Sequence, residues 1–174
     1  MEEKKIMTHI TKGLLVALIL IVLGIVGHIA GIELQTWFRW LPVIILCAAI
    51  IWGCIYYSNQ MNGQVTFGNL FAHGFKMSAV ITVIVIVWTV LAITLIFPEM
   101  KEKALDMARQ QMEDKGKLTD SQIEQAIDIT RRFFVVFAIG QILLGTLIVG
   151  AIASLIGAAV AKKKPVNPLD QMSM

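Results

Sequence analysis

The sequence predicts an all-α, multi-pass membrane protein with four transmembrane helices and an extramembrane αα-hairpin between the third and the fourth. Three observations carry this. Hydrophobic residues make up 57% of the 174 and charged residues only 16%, with a mean hydropathy of +0.75, well outside a soluble average. The run from Ala79 to Phe97, AVITVIVIVWTVLAITLIF, holds no charge across nineteen residues, close to the length of helix that crosses a bilayer core. Its thirteen Val, Ile, Leu and Phe residues sum to roughly −6 kcal/mol on the insertion scale, about twice the cost of one central charge. Finally, 99–132 is densely charged yet keeps helical periodicity.

The first span covers 13–31, after a polar start carrying Lys4, Lys5 and Lys12. The positions around Ala30 lack the small-residue pair that signal cleavage wants, so it reads as an uncleaved anchor. Gly27 and Gly31 stand at the spacing that lets another helix approach closely. The second span, 38–58, opens on Trp37, Phe38, Arg39 and Trp40 and closes on Tyr56 and Tyr57, two aromatic groups suited to the two membrane interfaces, with Pro42 expected in the first helical turn. Cys47 and Cys54 share a face of this helix about 10 Å apart, too far to bridge, and read as packing residues. Thr66 is the expected N-cap of a short interfacial helix bearing Phe67, Phe71 and Phe75, continuing near Gly74 into the third span, 75–97, which Pro98 ends.

Met100, Ala104, Met107, Ala108 and Met112 then follow one helical face. Gly116 can stop that helix, and Thr119 with Gln122 fits a capping box that starts the next, with Leu118 and Ile123 at the staple positions. The expected hairpin, 99–132, has arms of about 17 and 13 residues that reach roughly 20–25 Å. The second arm should run unbroken into the last span, 133–161. There Thr146, Gly150, Ser154 and Ala158 form one ladder of small residues, with Ala153, Gly157 and Ala161 beside it: a packing surface for this bundle or for a second copy. The tail, 165–174, reads as disordered.

Four spans place both termini on one side. The lysines flanking the first and last spans favour the cytoplasm for that side and the exterior for the hairpin, although Arg39 and seven hairpin bases oppose them. The net charge of +3 is an orientation signal and not a nucleic-acid footprint. No Asp, Glu, Lys or Arg falls inside the apolar span cores. His28 reads as a packed histidine, and Thr89 and Gln141, at similar depth, as an interhelical polar pair. The sequence has no nucleophile with a base, no phosphate-binding glycine loop and no metal-ligand spacing. The expectation is a non-enzyme without catalytic residues, cofactor or metal, contacting the lipid bilayer and a second copy or another membrane protein.

Gly63, Gln64, Val65, Thr66 and Phe67, followed by Phe71 and Gly74, lead into a span ended by Pro98. With the charged segment between spans three and four and the basic C-terminal edge, the chain resembles the domain of unknown function 4199 family of small four-span bacterial membrane proteins, from about Ile10 to Lys164. The resemblance implies an inner-membrane protein and supplies no activity or binding residues. A basic residue that members carry near Ser58 or Asn59 is missing here. The functional expectation is a partner-binding or assembly subunit, with a small transporter or channel component, or a lipid or envelope sensor, as alternatives.

Overall fold

The computed structural model describes residues 7–32 and 35–162. They form α1 (His9–Ile29), α2 (Thr36–Gln60), α3 (Phe67–Leu91) with a π-helical turn (Ala92–Ile96), α4 (Glu99–Lys115), α5 (Asp120–Arg132) and α6 (Phe134–Val160), with no strand among the described residues. Four helical stretches, His9–Ile29, Thr36–Gln60, Phe67–Ile96 and Phe134–Val160, are long and apolar enough to cross a membrane. The expectations for the tail 165–174 and for Lys4, Lys5, Lys163 and Lys164 lie outside the described residues.

Local chemistry sets the helix ends. Thr8 caps α1 by accepting from the Thr11 N–H at 3.3 Å, so α1 begins four residues before the expected span and takes in Lys12. At its other end the Ile32 N–H bonds the Gly27 carbonyl and the Gly31 N–H that of His28, a Schellman stop with Gly31 at φ +66°. The end of α2 repeats the motif, with Asn62 and Gly63 donating to Asn59 and Ser58 and Asn62 in the left-handed region. Thr66 caps α3 by accepting from the Asn69 N–H at 3.2 Å. That helix runs past Gly74 without a break, so the expected interfacial helix and third span are one element. Its far end widens into the π turn, closed by the Phe97 N–H on the Ala92 carbonyl at 2.7 Å. Phe97, at φ −133° and ψ 63° ahead of Pro98, leaves the helix, as the clash of a following proline ring with the α conformation favours. Pro42 sits beyond the first turn of α2, because the helix already starts at Thr36.

The described chain divides into two compact units. The first contains α1, α2, α3 as far as Val85 and α6 from Gly145. Its core joins Val16 and Ala17 of α1, Leu46, Ile50 and Cys54 of α2, Met77 and Ile81 of α3 and Ala153 of α6. A second layer joins Val65, Leu70, Ala158 and Ala161. Small residues make these approaches possible. A Cβ on Gly13 would come within 2.9 Å of the Val80 side chain, one on Gly74 within 2.7 Å of both Cys54 Sγ and Ser154 Oγ, and one on Gly157 within 3.1 Å of the Ile51 Cα. A Cβ on Gly150 would overlap the Ser78 side chain, and Ser78 Oγ donates to the Thr146 carbonyl at 3.2 Å.

The second unit is Ile86–Leu144. Here α4 and α5 form the hairpin, with Leu105, Ile123 and Ile127 buried and Ala108, Met112 and Phe134 against them. Gly116 ends α4 at φ +59°, and Thr119 and Gln122 make both halves of the capping box. The buried seam is rotated from the expected methionine stripe: Leu105 is its centre and Ala104 is exposed. Arg131 bridges back to Glu102 at 2.8 Å, with both side chains half-exposed, a pair worth about 0–1 kcal/mol. Between α5 and α6 only Phe133 departs from helix, and the Phe133 N–H to Ile129 and Phe137 N–H to Phe133 bonds continue through it.

Gly150→Val should destabilise the protein by about 1–3 kcal/mol through overpacking against Ser78. Gly145→Val, where a Cβ meets nothing within 4 Å, should not. Unfolding in a detergent and denaturant titration distinguishes them, and equal stabilities would refute the close α3–α6 approach. In the hairpin, Leu105→Ala should cost about 2–5 kcal/mol, read as lost amide-exchange protection in α4 and α5, whereas Glu102→Ala should stay within about 1 kcal/mol.

Candidate functional site

One cluster of ionisable side chains is buried in the first unit. The first turn of α1 presents His9 and Lys12, three residues apart and so on one face. The closing turns of α2 present Gly53, Cys54, Tyr56 and Tyr57, and the second turn of α3 presents His73. Alternating spans bring the start of α1, the end of α2 and the start of α3 to the same end of the unit.

Lys12 is only 1% exposed. Its Nζ lies 3.3 Å from His73 Nε2, donates at 3.5 Å to the Gly53 carbonyl and sits 4.5 Å from the centre of the Tyr56 ring. Each contact suits an ammonium, which has three donors and no acceptor. With Lys12 charged, His73 Nε2 has to be the acceptor, which places the imidazole proton on Nδ1. The His73 ring is stacked on Tyr57, with centroids 4.2 Å apart and planes 7° from parallel, and meets the edge of His9 at 5.9 Å. Cys54 Sγ, one turn below, donates to the Leu70 carbonyl at 3.5 Å. The arrangement binds and orients a buried cation. Among the described residues no three His, Cys, Asp or Glu side chains come together as a metal site would need.

Among the described residues no carboxylate balances that cation. Every described Asp and Glu lies between Glu99 and Asp128, in the second unit. Among the described residues Lys12 is held by a carbonyl dipole, an imidazole lone pair and an aromatic face.

The residues singled out from the sequence are placed as follows. Gly27 lies under Phe38, whose ring a Cβ there would strike, whereas Gly31 has nothing within 4 Å of a Cβ and serves the turn after α1. Gly150, Ser154, Gly157 and Ala158 are buried and, with the Thr146 carbonyl, meet α2 and α3 of the same chain. Ser154 satisfies its hydroxyl on the Gly150 carbonyl at 2.6 Å. No hydrogen bond joins Thr89 and Gln141. Gln141 is exposed, on the face of α6 that also exposes Phe137, Leu144 and Ile148, because equal depth fixes height and not rotation about the helix axis. Cys54 is buried and Cys47 partly so, both unbridged.

Lys12 was not marked as a site residue from the sequence because its position assigned it to the basic flank of the first span, and His73 was not singled out. The usable signal was their shared end: Lys12 opens one helix, Tyr56 and Tyr57 close the next, and His73 follows the opening of the third.

The charged segment between the third and fourth apolar helices, and the capped entry to the third at Thr66, are the features of the resemblance. The chain belongs to the DUF4199 family. The family, described as proteins of unknown function, matches residues 11–163, nearly all of the described chain and all six helices except the first two residues of α1. No curated protein and no solved structure matches the chain.

A double-mutant cycle tests the Lys12–His73 contact. His73→Phe keeps a ring against Tyr57 but removes the acceptor, and should cost about 1–3 kcal/mol. In a Lys12→Met background the same change should cost much less, since no buried ammonium is left unmatched. Equal costs in the two backgrounds, measured by reversible unfolding, would show that the contact contributes nothing.

Proposed function

We propose that this membrane protein is a non-enzymatic, partner-binding or assembly subunit of the bacterial inner membrane, with both termini in the cytoplasm and the α4–α5 hairpin as its docking element outside. The observation that carries the reading is the self-contained hairpin. Its apolar seam is consumed internally by Leu105, Ile123 and Ile127, and its exposed faces carry closely spaced charges of both signs, from Glu99 to Arg132. Interspersed charges on a preorganised frame recognise a complementary surface by pattern, where a single-sign field would attract indiscriminately. The small-residue face of α6 argues against self-association through that face, because its buried members pack on α2 and α3.

A second reading, a small transporter or channel component, is favoured by one observation, the buried Lys12 beside His73. An ionisable side chain within a membrane span marks an ion or proton path more often than a packing position.

A photo-crosslinking side chain placed at Gln111 or Gln125, both exposed on the hairpin, should capture a discrete protein in living cells. The adduct should disappear when Glu113 and Asp114 are changed to lysine, and should not form from Ile148 on α6. Capture that persists after the charge change, or solvent adducts alone across growth conditions, overturns the assembly reading and shifts the weight to transport.

A further inference from the structure

Five basic side chains of the first unit gather at one end, away from Arg39 at the start of α2. His9 and Lys12 lie in the first turn of α1, and His73 and Lys76 lie one turn apart on α3. Lys162 joins them where Ser58 Oγ bonds its backbone carbonyl. Lys12 is buried, while Lys76 and Lys162 are exposed and His9 is partly so. No described Asp or Glu belongs to this unit. The hairpin differs: its eight acids and seven bases nearly balance.

We propose that this end of the unit binds the phosphate headgroup of an anionic phospholipid, with Lys76 and His9 meeting the phosphate and Lys12 supplying a fixed positive charge behind them. Three observations lead there. The first is depth. Lys12 is the fourth residue of α1 and Lys76 the tenth of α3, so they stand about 5–15 Å along the helices from their ends, and Tyr56 and Tyr57 mark the same level as interfacial. The second is the position of Lys76, exposed on a helix otherwise apolar enough to cross a membrane. Its ammonium cannot rest among acyl chains and extends along the helix to the headgroups. The third is charge. Among the described residues the buried ammonium is held only by neutral groups and no carboxylate of this unit meets it, which leaves a positive potential there, and a headgroup phosphate is the anion the membrane presents at that depth.

This inference is independent of the hairpin's role, and a negative result for one leaves the other standing. The test is native mass spectrometry of the purified full chain, exposed to equal amounts of phosphatidylglycerol and phosphatidylcholine with matched acyl chains. The expected result is preferential retention of phosphatidylglycerol, weakened about fivefold by Lys76→Gln, further by the His9→Gln, Lys76→Gln double variant, and unchanged by Arg39→Gln at the start of α2. Both altered side chains reach the surface, and unchanged melting temperatures confirm that folding is intact. Equal retention of the two lipids by the unaltered protein overturns the proposal, as does equal weakening by Arg39→Gln. Displacement of the lipid by an equal concentration of glycerol 3-phosphate also overturns it, since it assigns the site to a soluble phosphate.

Discussion

In a bilayer, lipid tails are as apolar as leucine, so helices gain little from hiding hydrophobic surface and must gain it from close packing. The first unit depends on this constraint. Gly150, Ser154 and Gly157 remove side-chain bulk from one face of α6. Gly74 does the same on α3, and the thiol of Cys54 and hydroxyl of Ser154 occupy the space that a Cβ on Gly74 would take. Each hydroxyl drawn into the seam carries its own acceptor: Ser154 bonds Gly150, Ser78 bonds Thr146 and Thr82 bonds Ser78. These contacts set α2 against α3, and that setting stacks Tyr57 on His73. The polar cluster follows from the small-residue seam.

The second unit shows the aqueous solution to the same problem. Its hairpin packs on branched aliphatic side chains, Leu105, Ile123 and Ile127, and surrounds them with charge. Water makes that burial favourable, at about 1.5–3 kcal/mol for each large aliphatic side chain. One chain thus holds two kinds of interface: where lipid is the solvent, glycine and serine bring the helices close around an aliphatic core, and where water is, leucine and isoleucine pack inside a charged surface. The change takes place at Phe97 and Pro98, where the π turn ends α3, and again at Phe133, where α5 passes into α6.

Much of this was legible in the sequence because it depends on properties of single segments. Span number, the hairpin, its arm lengths, the stop at Gly116 and the capping box at Thr119 all follow from local periodicity and capping chemistry. What was not legible depends on rotation about a helix axis. The methionine stripe of α4 is displaced by about one residue from the true seam because Leu105, the bulkiest apolar residue there, turns inward. Gln141 matches Thr89 in depth and still faces outward. Gly31 has the spacing of a packing glycine but is spent on a left-handed turn that no local pattern separates from it. Lys12 was hidden by a rule that is right on average: basic residues beside a span usually reach water, whereas here Thr8 starts the helix early enough to carry Lys12 inside it.

The burial of Lys12 bears most directly on function. Packing alone does not call for a charge there, since a methionine of similar length would fill the space between Gly53, Tyr56 and His73 without desolvating an ammonium, and exchanges of that kind are often neutral or stabilising. The three groups that hold the ammonium are all neutral, so together they offset only part of the desolvation and leave the positive potential in place. A bound anion would remove the remainder. The same charge that lowers the stability of the described bundle therefore raises its affinity for an anionic surface, which is the physical sense of the headgroup contact proposed for this end of the unit.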